Sequence, residues 1–227
     1  MSEPRLSVII PVYNAERYVA EAIQSVLDQD YDDLEIVVVD DGSTDGSAAV
    51  AQQFKEIRLI RQENQGPGAG LNTGILNAGG DLIAFLDADD KWEPATLGRR
   101  VARFDDDPNL DMAHGRVIEF ASPELKSQVL TADRAVANPV PARLGGTTMI
   151  KREALGRVGL MDTTLKLGAW MDWLMRADEA GLKTVSHDDL VLHRRIHDDN
   201  LVTRESGSKS DYVRLLKRAL DRRRETE

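Results

Sequence analysis

The chain has 227 residues, of which 41% are hydrophobic and 30% are charged, a composition typical of a globular protein with one substantial core. Its formal net charge of −10 argues against nucleic acid as a partner, because phosphate backbones bind basic surfaces. The absence of cysteine excludes disulfides, thiolate nucleophiles and zinc–thiolate sites. The sequence contains neither a signal-peptide pattern nor a run apolar enough to span a membrane, so we expect a soluble, cytoplasmic protein.

Short apolar runs alternate with helical patterns in the first half of the chain. The runs predict buried strands at residues 6–12, 34–39, 57–60 and 82–86, and the stretches between them predict helices at 15–29, 47–54 and 66–77. Parallel strands need crossover connections, so this order predicts an α/β fold with a mostly parallel, Rossmann-like sheet flanked by helices. Such sheets bind ligands at the carboxyl ends of their strands.

The alternation of predicted strands and helices is weaker in the second half of the chain. It predicts helices at residues 94–104, 151–158 and 171–180 and strands at 112–120, 147–150 and 190–196. The long stretch 121–146 has no strong period, and long irregular stretches in compact domains are more often functional than idle.

The last segment, residues 206–227, predicts a basic amphipathic helix. Its apolar face carries Tyr212, Leu215, Leu216 and Leu220, and several lysines and arginines surround that face. We expect this helix to pack on its own domain; peripheral contact with an anionic membrane is the alternative.

Three aspartates follow the predicted strand at 82–86. Asp87, Asp89 and Asp90 lie within four residues, and like charges at the end of a buried strand cost stability unless a cation or a ligand rich in donors meets them. If the chain stays extended, Asp87 and Asp89 point to the same side. Carboxylates in this pattern suit Mg²⁺ or Mn²⁺ together with substrate phosphates. The alternative is a solvated acidic turn.

A glycine-rich loop precedes this strand. Gly66, Gly68 and Gly70 resemble a dinucleotide fingerprint, which keeps an NAD-type oxidoreductase open as an alternative. The displaced third glycine, Pro67 and the cluster of acids argue against it. The loop is still suited to hold a nucleotide through its backbone N–H groups.

Four segments carry a family resemblance. The segments SVIIPVYN at 7–14, VDDGSTD at 39–45, NQG at 64–66 and DADD at 87–90 resemble, in order and spacing, the signatures of family 2 glycosyltransferases with the GT-A fold. The resemblance implies inverting transfer of a sugar from a nucleoside diphosphate sugar, usually a UDP-sugar, to a hydroxyl of a saccharide, lipid-linked or peptide acceptor. It also implies a nucleotide-sugar-binding half at 1–110 and a C-terminal acceptor-binding half at 111–205, which the predicted helix at 206–227 follows.

The resemblance further implies roles for single residues. Asp89 takes the position of the direct metal ligand, Asp87 that of its partner toward the ribose, and His197 that of a histidine completing the metal or diphosphate site; the alternative for His197 is a solvated loop residue. Nucleotide contacts fall on Pro11, Tyr13, Asn14, Asp41, Asn64, Gly66, Asp87 and Ala88. Arg194 and Arg195 either clamp the diphosphate or balance neighbouring acids.

The segment WMDWL at 170–174 resembles the acceptor-site segment of the family. Asp172 takes the place of the catalytic base, and Met171 stands where the family usually has glutamate. An inverting displacement needs one base and a stabilised leaving group, so one carboxylate and a metal suffice. The alternative for Asp172 is a residue of the first helical turn that interacts with the helix dipole. A nucleotide-sugar-binding protein without turnover is the alternative function.

Overall fold

Parallel strands build the first half of the sheet, as predicted. The computed structural model describes residues 5–125, 138–201, 207 and 210–226, so much of the irregular stretch 121–146 lies outside the described residues. The first-half elements are β1 (Leu6–Val12), α1 (Val19–Leu27), β2 (Leu34–Asp41), α2 (Ser47–Ala51), β3 (Ile57–Gln62), α3 (Pro67–Asn77) and β4 (Leu82–Phe85). The strands pair in parallel in the order β3-β2-β1-β4.

The second half of the sheet adds antiparallel pairings to the parallel set of the first half. Its elements are β5 (Lys91–Trp92), α4 (Leu97–Asp106), β6 (Met112–Ala121), β7 (Val140–Pro141), a 3₁₀ turn (Gly145–Thr147), β8 (Thr148–Lys151), α5 (Arg152–Val158), α6 (Ala169–Glu179), β9 (Thr184–Ile196) and α7 (Ser210–Thr226). The strand β8 runs antiparallel to both β4 and β6, whereas β6 and β9 are parallel. The short strands β5 and β7 were not predicted.

Side chains of β1 alternate between two apolar layers because successive residues of a strand face opposite sides of the sheet. Val8 and Ile10 pack with α1 and α4, in a layer that includes Ile23 and Val101. Ile9 faces the other layer, which contains residues of α3, α5 and α6. Burial on both faces explains why the sequence of β1 is almost continuously apolar.

The C-terminal helix α7 packs against α6, as expected from its pattern. Leu215 and Ala219 of this helix are buried. Three apolar side chains of the same helix, Val213, Leu216 and Leu220, are instead more than half exposed, at 68%, 57% and 55%. None of the helices described is both long and apolar enough to cross a membrane.

Candidate active site

A cleft of about 880 Å³ opens at the carboxyl ends of β1, β2 and β4, with the end of β9 on its far side. Ligands of parallel sheets bind at this edge. Every predicted site residue except Asp172 lines the cleft, namely Pro11, Tyr13, Asn14, Asp41, Asn64, Gly66, Asp87, Ala88, Asp89 and His197. The cleft draws on both halves of the chain, since residues 163–166 and 199–201 also line it.

Asp41 fixes the loop that enters α3. Its Oδ1 accepts hydrogen bonds from the side chain of Gln62 at 2.7 Å and the backbone N–H of Gln65 at 2.9 Å, and its Oδ2 accepts one from the N–H of Gly66 at 2.9 Å. Asn64 donates to the Asp41 carbonyl at 3.0 Å. Gly66 has a φ of +92°, which favours glycine, and it leads directly into α3. The NQG segment therefore forms one preset wall of the cleft.

Asn14 joins the loops after β1 and β2. Its side-chain oxygen accepts from the N–H of Thr44 at 2.8 Å, and its own N–H donates to the hydroxyl of Ser43 at 3.0 Å. The residue has a φ of 51°, a left-handed conformation that asparagine tolerates better than most residues. The asparagine that ends the first motif thus holds the VDDGSTD loop in place.

The three aspartates after β4 form a turn, not an extension of the strand, which corrects the geometry expected from the sequence. The strand ends at Phe85, and the N–H of Asp90 donates to the carbonyl of Asp87 at 3.1 Å. Carboxylate oxygens of Asp87, Asp89 and Asp90 still lie within 4.8 Å of one another. The turn therefore brings Asp90 to the other two acids, whereas an extended chain would have pointed it to the opposite side.

The charges of this cluster are poorly compensated. Asp87 is accessible from the cleft, yet surrounding protein limits its hydration, and this desolvation together with the charge of Asp89 raises the pKa of its carboxyl to about 6. Burial, with Asp89 and Asp87 as neighbours, also raises the pKa of Asp90 well above its ordinary value. A set of close oxygen ligands with excess negative charge fits a divalent cation such as Mg²⁺ or Mn²⁺.

His197 lies beside the acidic turn and is buried, at 7% exposure. The N–H of Asp199 points to its Nδ1 at 3.2 Å, so Nδ1 accepts and Nε2 carries the proton. This Nε2 lies 3.0 Å from Oδ2 of Asp89, which also accepts from the Asn200 side chain at 3.2 Å. The imidazole packs against the ring of Tyr18, with centroids 4.8 Å apart. The solvated-loop alternative for His197 does not describe this environment.

Arg195 braces the acidic turn, a role that the sequence left open. Its N–H donates to Asp90 at 2.7 Å and its Nε to the carbonyl of Asp89 at 2.9 Å, while its guanidinium packs over Tyr18 and pairs with Glu21. Arg195 therefore balances acids rather than pointing a free charge at a ligand. Arg194 lines the cleft and pairs with Glu119 at 2.9 Å.

Sequence reasoning missed Asn200 and Tyr18 as parts of the site. The side-chain oxygen of Asn200 also accepts from the N–H of His197 at 2.8 Å, so the asparagine orients the histidine. The only sequence signal was the closeness of Asn200 to His197, because the position of this loop depends on how β9 pairs with β5 and β6.

Asp172 does not line the cleft. It lies in the first turn of α6, its side chain is 4% exposed, and it pairs with Arg176 at 2.8 Å and with Arg222 of α7 at 3.4 Å. It lines a separate cavity of about 370 Å³ together with Asp162 and Arg218. The predicted base is thus held by two guanidinium groups, and its role stays a prediction.

The fold and the site describe an α/β protein with an acidic, metal-suited cleft at the edge of a parallel sheet. A family model described as Glycosyl transferase family 2 matches residues 7–159, so the chain belongs to this family. An uncharacterized glycosyltransferase from Nostoc sp., alr2836, is 37% identical over 217 residues, which cover 86% of this chain and 66% of the relative. Family membership leaves the NAD-type oxidoreductase alternative without support.

Solved structures share the fold. A crystal structure of TarS residues 1–349 from S. aureus has a TM-score of 0.73 at 20% identity, covering 95% of this chain and 64% of that one. The mannosyltransferase PcManGT from Pyrobaculum calidifontis has a TM-score of 0.73 at 21% identity, covering 97% of this chain and 65% of that one. This chain therefore spans about two thirds of the proteins it resembles, and the GT-A type fold predicted from the sequence is confirmed.

Proposed function

We propose that the protein transfers a sugar, with inversion, from a UDP-sugar to the hydroxyl of an acceptor. The observation that carries the proposal is the meeting of the Asp41 loop, the acidic turn and His197 in one cleft. Proteins of the same fold support it: TarS has been crystallised with UDP and with UDP-GlcNAc, and PcManGT with GDP-Man and Mn²⁺. The acceptor, a saccharide, lipid-linked or peptide hydroxyl, is not specified by the cleft.

The cleft residues divide by chemistry. Pro11, Tyr13 and Asp41 would contact the nucleobase, and the backbone around Gly66 offers a close approach to the nucleotide. Asp87 and Asp89, with His197 beside them, would hold Mg²⁺ or Mn²⁺. The cation would stabilise negative charge on the leaving diphosphate. The division into a donor half at 1–110 and an acceptor half at 111–205 stays a prediction, as does the cytoplasmic location.

Nucleotide titration tests the donor site. We expect UDP to bind in the presence of Mn²⁺ or Mg²⁺ and to lose most of its affinity in EDTA, because phosphate oxygens complete the coordination of the cation. Asp89→Asn should weaken metal-dependent UDP binding by about tenfold or more, since it removes a charged ligand. Asp106→Asn, an exposed change in α4, is the matched control. Preference for NAD, or no binding of UDP or GDP with either cation, would contradict the proposal.

A second candidate function is binding without turnover. The observation that favours it is the pairing of Asp172, the predicted base, with Arg176 and Arg222. A panel of nucleotide sugars, followed by release of the nucleoside diphosphate in the presence of acceptor mixtures, separates the two functions. Metal-dependent release from at least one sugar nucleotide supports transfer, whereas tight binding of UDP-sugars without release from any of them supports the binding function.

A further inference from the structure

One wall of the cleft is an irregular segment between α5 and α6. Residues 162–168, hereafter the wall segment, belong to no helix or strand, yet residues 163–166 line the cleft. Irregular backbone holds a fixed position only when side chains from neighbouring elements satisfy its polar groups. The contacts of the wall segment therefore decide the shape of this side of the cleft.

The start of the segment is tied to α3. The side chain of Asn72 donates to the carbonyl of Met161 at 3.0 Å and accepts from the Met161 N–H at 2.8 Å. Both backbone groups of one residue are thus satisfied by a single amide. This pairing fixes the entry of the segment relative to the glycine-rich loop.

The other end is tied to α7, the C-terminal helix. The carboxylate of Asp211, which is 5% exposed, accepts from the N–H groups of Lys166 at 2.9 Å and Leu167 at 3.2 Å. These bonds favour the ionised form and lower the pKa of Asp211. A methyl group on Gly168 would meet Leu215 of α7 at 3.1 Å, so the helix also packs closely on the end of the segment.

Two arginines of α7 complete the attachment. Arg218 pairs with Asp162 at the start of the wall segment and reaches the hydroxyl of Thr164 at 3.4 Å. Arg222 pairs with Glu179 at 2.7 Å and with Asp172 at 3.4 Å, both on α6. Helix α7 thus contacts the wall segment at both ends and the helix that follows it.

Lys166 is the charged side chain that this segment brings to the cleft. Its backbone is held by Asp211, while its exposed side chain lines the cleft and has no hydrogen bond or ion pair among the described residues. The acidic turn lines the same cleft. An ammonium group that lines the same nucleotide cleft as a cation site is suited to contact phosphate oxygens, which are the anionic part of such a ligand.

We propose that α7 is a latch that positions the wall segment through Asp211, Arg218 and Arg222, and that Lys166 is the group it presents to the phosphates of the bound nucleotide. The phosphates are those of the donor under the proposed function, on which this inference rests. Asp172 then belongs to the latch as a positioning residue, because its carboxylate anchors Arg222.

Binding of UDP compared with uridine tests Lys166. Lys166→Gln should raise the dissociation constant of UDP with Mn²⁺ by about tenfold, because a charge-assisted contact is lost, and should leave that of uridine unchanged. Lys217→Gln makes the same substitution at an exposed position of α7 and should change neither. UDP affinity equal to that of the wild type in Lys166→Gln would overturn the role of Lys166.

The latch is tested by substituting the residues of α7 that hold the wall segment. Asp211→Ala and Arg218→Gln should each weaken UDP binding by about as much as Lys166→Gln, and combining Asp211→Ala with Lys166→Gln should add little, since both act on one contact. Equal weakening of UDP and uridine by Asp211→Ala, or full additivity with Lys166→Gln, would show a general structural effect and overturn the latch.

Hydrogen exchange separates failure of the latch from failure of the proposed function. Asp211→Ala should speed amide exchange at Lys166 and Leu167 in the protein without nucleotide, because their N–H groups lose their acceptor. Unchanged exchange there overturns the latch even if UDP binds. If Asp211→Ala exchanges faster than the wild type but the wild-type protein binds neither UDP nor GDP, the latch is kept and the donor site is refuted.

Turnover with the best sugar nucleotide decides the role of Asp172. As a positioning residue, Asp172→Asn should resemble Arg222→Gln in its effect on KM and kcat, and the pH profile of kcat should keep its shape. As the base, Asp172→Asn alone should reduce kcat by a factor of about 10² or more while UDP affinity stays unchanged. The second result would overturn the positioning role.

Discussion

At the scale of single residues, packing sets the proton affinity of His187. Its side chain is 3% exposed and lies near Arg100, Arg103, His114 and Asp189. Burial, followed by the charge of Arg103, lowers the pKa of this histidine to about 4, although Asp189 acts in the opposite direction. His187 is therefore neutral in the folded protein at neutral pH.

A loss of stability in mild acid follows from this shift. The unfolded chain binds a proton at His187 near pH 6.5 and the folded chain only near pH 4, so stability falls as the pH decreases between these values. We expect about 2 kcal/mol less unfolding free energy at pH 5 than at pH 7 from this group. Urea unfolding at both pH values measures it. His187→Gln should have a clearly smaller loss, and an equal loss in both proteins would contradict the assignment.

The residues of the site were predictable where strands end together. Asp41 ends β2 and Asp87 follows β4, and both strands pair in parallel with β1, so the sheet brings the two residues to one edge whatever the details of packing. The contact of Asn200 with Asp89 joins residues far apart in sequence and depends on the register of β9, which has no local signal. The burial of Asp172 between two arginines depends on the docking of α7, which the sequence pattern of α6 does not contain.

At the scale of elements, the glycines of α3 have a packing role. A methyl group at Gly74 would lie well inside 3.0 Å of the Ile9 side chain, so α3 lies directly on β1. The glycines at the start of this segment resembled a dinucleotide fingerprint in the sequence. The resemblance arises because a helix that lies close to a strand and a backbone that lies close to a ligand both need glycine.

Two alanine substitutions should therefore change the stability of the protein in opposite directions. Gly74→Ala should destabilise the protein by roughly 1–3 kcal/mol, since overpacking against Ile9 exceeds the gain in helix propensity. Gly156→Ala in α5, where a methyl group meets nothing within 4 Å, should stabilise it by roughly 0.5–1 kcal/mol. Thermal and urea unfolding of both variants measure the difference. Stabilisation by Gly74→Ala would contradict the packing of α3 on β1.

Element prediction succeeded where patterns were long and failed where they were short. The helices α1, α3, α5 and α6 and the strands β1, β2 and β6 were found to within four residues of their ends, whereas the first six residues of β9 were not predicted as strand. The strands β5 and β7 contain two residues each, too few for any period to appear. The strand β8 lies antiparallel between β4 and β6, and the sequence of a strand does not determine which strands it pairs with.

At the scale of the whole molecule, α7 has two faces with different surroundings. One face holds the wall segment, and the other exposes the stripe Val213, Leu216 and Leu220 with Lys217 and Arg224 exposed beside it. An apolar stripe with a basic flank fits the surface of an anionic membrane.

We expect binding to vesicles that contain phosphatidylserine and much weaker binding to neutral vesicles. Leu216→Gln with Leu220→Gln should lower the vesicle affinity by about tenfold or more through lost apolar burial, whereas Leu76→Gln, an exposed leucine on α3, should not. Co-sedimentation at low and high salt measures the apolar and the electrostatic contributions to vesicle binding. Equal binding to neutral and anionic vesicles would contradict the basic contribution, and no binding to either would exclude this surface.

The sequence by itself determined the parallel βα units, the cluster of acids after β4 and the family, because these depend on local apolar runs and on motifs of a few adjacent residues. Only the tertiary structure decided which groups support those motifs: Arg195 and Asn200 around Asp89, and Asp211 beneath Lys166. These contacts join elements that are distant along the chain, so their geometry follows from packing and strand register rather than from any local pattern.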